Sequence, residues 1–175
     1  MKRYLFTFFA LLVITGLWSN NLNAQTKEYK SKTGKFSFKY FRDWSVEETD
    51  GGVTIFAPKD GPRDIHRENW GISIAPANYL SLEECYKKYI LDAFPDTFNK
   101  FKIIDEGKDD HNGIPSQWIK YSFQENNQEV SNLTTLLVHK DQLFILIGYS
   151  LSDDFNPKYA KLFSDMMITF RVHKD

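Results

Sequence analysis

Leu143-Phe144-Ile145-Leu146-Ile147 alternates nothing: every residue in the run is apolar, so a strand here has no face to give to water. Such a strand belongs in the middle of a sheet covered on both sides. The fold must therefore be layered, and the chain has to supply two covers. Two amphipathic segments can do so. In the first, Leu82, Cys85, Tyr86, Tyr89, Ile90, Ala93 and Phe94 fall on one helical stripe. Ser81 and Glu84 make a capping box at its start, and Pro95 marks its end. In the second, Asn156 is placed as N-cap with Pro157 at the first helical position. Its stripe runs through Tyr159, Ala160, Phe163, Met166, Met167 and Phe170.

Strands are read at 36–40, 44–48, 53–56, 70–75, 101–106, 116–123, 133–139 and 143–150, with clear period-two alternation at 36–40 and 70–75. Asp50-Gly51-Gly52 and Asn112-Gly113 are turn signals between neighbouring runs, and Asp141-Gln142 separates the last two. Each half of the chain is thus several strands followed by one helix. The expectation is an α+β fold: an antiparallel sheet of about seven or eight strands with helices packed against it.

Several short motifs, in this order, resemble the PsbP family, the extrinsic photosystem II proteins and their bacterial relatives. Phe36-Ser37-Phe38-Lys39-Tyr40-Phe41-Arg42-Asp43-Trp44 is similar to the family's opening strand, turn and tryptophan. Trp70-Gly71-Ile72-Ser73-Ile74 and Ser81-Leu82-Glu83-Glu84 resemble the strand before the first helix and that helix's start. Asn112-Gly113-Ile114-Pro115-Ser116 resembles the central turn. Gln142-Leu143-Phe144-Ile145-Leu146-Ile147 and Met167-Ile168-Thr169-Phe170 resemble the last strand and last helix. Phe41 stands where the family usually has proline. The resemblance implies an α/β/α sandwich that works mainly by binding, assisting membrane complexes or protein partners. It carries over no catalytic residue.

The chain opens with Lys2 and Arg3, an uncharged run at 5–17, and a polar stretch ending in Ala24. That is the layout of a secretory signal peptide cut after residue 24. Thirteen apolar residues are too few for a spanning helix, which needs roughly 20. The reading is an exported, periplasmic or secreted protein without a membrane anchor. A polar arm is expected at 25–35 and a single domain at 36–175. Cys85 is the only cysteine, so no intrachain disulfide can form and burial alone must hold the domain. A net charge of −1 with no basic run argues against nucleic acid as a partner. A monomer is expected.

No cofactor motif is present, and neither a nucleophile elbow nor a phosphate-cradling glycine loop occurs. In Arg63-Asp64-Ile65-His66-Arg67-Glu68, the side chains of Asp64, His66 and Glu68 would share one side of an extended loop. A metal could be held there, but two arginines repel a cation, and the reading is a solvated loop. As the longest polar break between strands it is also the candidate partner-binding surface, through Arg63, Asp64, His66, Arg67 and Glu68. Asp109-Asp110-His111-Asn112-Gly113 reads as a turn, Trp70 and Cys85 as core. The function expected is a non-catalytic accessory or binding protein for a periplasmic or membrane-associated complex. A carrier for a small apolar ligand, a photosystem-type extrinsic subunit and a metal-dependent protein are the alternatives.

Overall fold

The computed structural model describes residues 26–173 except 34, 63 and 65. The expected signal peptide therefore lies outside the described residues, as do Arg63 and the chain's last two positions. Among the described residues, ten strands form two sheets. The larger holds β3 (Ser45–Thr49), β4 (Gly52–Phe56), β5 (Asn69–Pro76), β9 (Gln142–Leu151), β8 (Gln128–His139), β7 (Pro115–Glu125) and β6 (Lys102–Asp110), in that spatial order. Every pairing in it is antiparallel. The smaller holds β1 (Thr26–Lys30), β2 (Phe36–Phe41) and β10 (Arg171–Val172).

The apolar run of 143–147 lies in β9, the middle strand of seven, as its two-sided hydrophobicity requires. Its side chains divide between two cores. Phe144 and Leu146 join Phe38, Trp70, Phe163 and Phe170 on one face. Leu143 joins Cys85, Ile90, Ile119 and Tyr121 on the other. Aromatic rings fill both layers in mutual contact, as between Phe38 and Trp70 at 4.7 Å and between Phe98 and Phe123 at 4.4 Å.

The first helical segment runs through α1 (Leu82–Tyr86), a π-helical stretch (Lys87–Asp92) and α2 (Phe94–Thr97). The capping box forms as read: Glu84 N–H donates to Ser81 Oγ at 3.2 Å, and Ser81 N–H donates to Glu84 Oε2 at 2.8 Å. Pro95 does not end the helix; it opens α2 after the π stretch. The second segment runs through α3 (Ser152–Asp154), a π-helical stretch (Phe155–Tyr159) and α4 (Ala160–Thr169). Asn156 is not its N-cap. The helix already starts at Ser152, and Asn156 instead accepts from Lys120 Nζ at 2.5 Å. Pro157 falls inside the π turn, where a widened backbone can absorb a residue with no N–H to donate. This segment crosses β9 at Gly148: a Cβ there would lie 2.5 Å from the Phe163 ring, so only glycine lets the helix sit so close.

Part of the polar arm expected at 25–35 is a strand. Thr26–Lys30 pairs with β2, and Tyr29 stacks on Phe38 at 5.0 Å while donating to Glu48 Oε1 at 3.0 Å. Tyr29 is the one aromatic residue of β1, so the alternation that marks a strand was too faint to see. The central turn forms as read, with Asn112 and Gly113 at positive φ and Gly113 N–H held by Asp110 Oδ1 at 2.6 Å. It has a second task. His111 Nε2 meets the carbonyl of Met167, and Asn112 Nδ2 donates to the carbonyl of Phe170 at 3.0 Å. The hairpin thereby caps the end of α4.

Candidate partner-binding site at the loop end

Strand β2 ends at Phe41, and Trp44 N–H donates to its carbonyl at 3.0 Å, folding Arg42 and Asp43 into a tight turn. Beside that turn lies the long loop between β4 and β5. Its base is closed by Ala57 N–H donating to the Glu68 carbonyl at 2.9 Å. Arg67 fixes it further: Nε donates to the Ala57 carbonyl and Nη2 to Ser45 Oγ, both at 2.7 Å. Its guanidinium also lies 5.0 Å above the Phe56 ring. At the tip, Asp64 accepts from the backbone N–H of His66 at 3.1 Å and of Asp60 at 3.2 Å. The described residues of the loop are thus tied together by its own side chains.

The five residues expected to meet a partner have different fates. Arg63 lies outside the described residues. Asp64 and His66 are half-buried, with the Asp64 carboxylate spent on the loop backbone. Arg67 is half-buried and committed to the loop's base. Glu68 is 3% exposed, so it is not a solvated residue and cannot touch a partner. It lies two residues before Trp70 on extended chain, and so shares Trp70's inward face. Asp64, His66 and Glu68 do not converge, and no group of three or more metal-ligating side chains is placed to hold an ion among the described residues.

What gathers instead is a cleft of about 740 Å³ between the loop, the β2–β3 turn and the start of the second helical segment. Phe41, Trp44 and Tyr159 give it aromatic walls; Arg42, Asp60 and Lys158 bring charge. Lys158 Nζ lies 3.5 Å from Asp60 Oδ2 and 4.7 Å from the centre of the Tyr159 ring. Behind Tyr159 is Glu68. Burial pushes its carboxyl above the usual range, against the pull of its own backbone N–H and the Tyr159 hydroxyl. Its Oε2 has no hydrogen-bond partner. Burial likewise raises the Tyr159 hydroxyl, with Lys158 opposing.

The sequence pointed to the loop but not to Trp44, Lys158 and Tyr159. Trp44 reads as strand and Tyr159 as part of a helical stripe, and nothing local says that the two elements meet. Elsewhere, Cys85 is buried, and loss of solvation raises its thiol pKa. Asn132, in an Asn-Leu-Thr triplet, is buried and donates to the Tyr121 hydroxyl at 3.0 Å, which removes it from any glycosylating enzyme.

No family model matches the chain, and no curated protein matches it. The solution structure of cyanobacterial PsbP (CyanoP) from Synechocystis sp. PCC 6803 aligns with TM-score 0.64 at 15% identity, over 86% of this chain and 94% of that one. The fold is PsbP-like. A putative regulator of unknown function from Pseudomonas aeruginosa aligns at TM-score 0.60 and 14% identity, over 86% of this chain and 99% of that one. Mycobacterium tuberculosis LpqN, involved in cell envelope biogenesis, aligns at 0.61 and 11%, over 86% and 91%. A PsbP-like fold thus recurs at very low identity, and a shared fold at this distance says little about shared activity. No helix among the described residues is long and apolar enough to cross a membrane.

Proposed function

We propose that this chain is an exported, non-catalytic module that binds a protein partner at the loop-end cleft and assists a periplasmic or membrane-associated complex. The observation that carries the reading is the preorganised rim. Arg67 and Asp64 fix the loop internally, so docking there need not first order it. The cleft offers aromatic walls and Arg42, the residue types that anchor protein interfaces, beside the Lys158–Asp60 pair. It offers no nucleophile beside a base. Glu68, a buried carboxyl raised above its usual range, lies behind Tyr159 and does not line the cleft. The aromatic residues that could have lined an apolar carrier cavity are packed ring against ring.

The test is differential capture. A tagged full chain is expressed in its own host, cross-linked and recovered beside the variant Arg42→Glu/Lys158→Glu. Both altered residues are exposed, so the fold should persist. The expected result is one protein recovered in equal amount with the wild type and lost with the variant. The same proteins on both baits, or a co-purifying lipid in place of a protein, would contradict the reading.

A further inference from the structure

At the opposite end of the sandwich, the start of β2, the β8–β9 turn and the chain after β10 enclose a smaller concavity of about 260 Å³. Its lining is Lys35, His139, Lys140, Gln142, Val172 and His173. Four of these six side chains can carry positive charge and none is acidic, in a chain whose net charge is −1. The groups come from three separate stretches of sequence and are held in place by backbone. His173 N–H donates to the Lys35 carbonyl at 2.8 Å, and the His173 ring lies 2.9 Å from Ser37 Oγ. His139 Nε2 is buried without a hydrogen-bond partner. Neither Lys35 nor Lys140 takes part in an ion pair among the described residues. The nearby carboxylates have other work: Glu48 pairs with Lys32, and Asp141 Oδ1 accepts from Tyr79 N–H at 2.6 Å.

That last contact brings a second feature to the same end. Asn78 and Tyr79 both hold positive φ, at 55° and 62°, in a turn closed by Leu80 N–H donating to the Ala77 carbonyl at 3.1 Å. A bulky aromatic residue rarely adopts that conformation. The turn is fastened to the β8–β9 turn through Asp141, the neighbour of Lys140, and it leaves the Tyr79 ring 93% exposed. An aromatic ring with a polar tip beside lysines suits the boundary between lipid headgroups and water.

We propose that this concavity binds a phosphate group, with Lys35 and Lys140 supplying charge and His139 and His173 supplying N–H donors. Phosphate fits because imidazole and ammonium both donate to its oxygens, and among the described residues no carboxylate stands in the wall to repel it. The phosphate could be carried by a soluble compound or by a lipid headgroup; Tyr79 separates the two sources. The site is independent of the loop-end cleft.

The experiment titrates the purified exported protein with inorganic phosphate at constant ionic strength, following backbone and histidine ring signals by NMR, with chloride as control. Saturable shifts at His139 and His173 are expected, weakened about tenfold or more in Lys35→Glu/Lys140→Glu while that variant keeps a native spectrum. Shifts that fail to saturate, that chloride reproduces, or that persist in the variant would overturn the site. A parallel arm uses phosphatidylglycerol vesicles against phosphatidylcholine vesicles, with Tyr79→Ser beside the wild type. Sedimentation with the anionic vesicles that Tyr79→Ser abolishes, while phosphate binding survives, assigns the headgroup. Phosphate binding without sedimentation assigns a soluble phosphate compound.

Discussion

At one end of the sandwich a long loop and a strand turn meet the start of a helix; at the other, tight two-residue turns meet the ends of strands. The loop end has the more eventful sequence, with arginines, carboxylates and a histidine in six residues, yet most of what is described there is consumed locally. Arg67 holds the loop base, Asp64 caps the loop tip and Glu68 is buried. The turn end has an unremarked sequence, yet among the described residues Lys35 and Lys140 take part in no ion pair and the Tyr79 ring stands exposed, because turns such as Lys140-Asp141 satisfy their backbone without recruiting the lysine side chain. A long loop has many backbone groups to satisfy, and its polar side chains are drawn into that task. Short turns have few. Chemical richness in a linear stretch is thus a poor guide to which side chains remain available.

The largest blow to both ends at once should come from Gly148→Ala. The second helical segment begins at the cleft and leads, through β10, to the basic concavity, and it rests on this glycine through Phe163. A methyl 2.5 Å from that ring must displace the helix, at a cost of about 2–3 kcal/mol in denaturant unfolding. Next is Arg67→Ala, which removes two charge-assisted hydrogen bonds and a cation–π contact for a loss of about 2 kcal/mol. Hydrogen exchange should rise across the loop while the turn end stays protected. Loss of protection at both ends would show that the ends are not independent.

Glu68→Gln should act in the opposite direction. The carboxyl's pKa is raised on folding, so its contribution to stability is present below the unfolded value near 4.5 and is lost as pH rises through the folded value. Above the folded value the wild type must bury an ionised carboxylate whose Oε2 has no hydrogen-bond partner, a cost the neutral amide avoids, so the variant should gain on the wild type as pH rises, by about 1 kcal/mol. The advantage should vanish near pH 4. An advantage independent of pH would mean that packing, not charge, is responsible. The smallest effect is expected for Tyr79→Asn, which relieves a positive φ that asparagine tolerates, for a gain of about 0.5 kcal/mol. A loss there would show the tyrosine ring to be a structural contact after all.

Much of the architecture was legible in the residues. The two-sided apolar run identified the central strand, and the two helical stripes identified the covers on its faces. The Ser81–Glu84 box and the Asn112-Gly113 turn formed where their chemistry said. What escaped was whatever depends on distant partners. Strand β1 exists because Tyr29 stacks on Phe38, not because 26–30 alternates. Asn156 and Pro157 carry a helix-start signature, but Phe155 is core and the helix begins before it. The same limit separates the two candidate sites. Five of the loop-end residues lie within six positions and could be named from sequence. His139 and His173 stand in no local motif, because only the pairing of β2 with β10 brings His173 beside Lys35.

The central claim is that a protein partner docks at the loop end and not at the turn end. A photo-crosslinking residue introduced at Arg42, and separately at Lys140, tests it in the living host. One discrete protein adduct from position 42 and none from position 140 is the result expected; adducts at both positions alike, or at 140 alone, would contradict it.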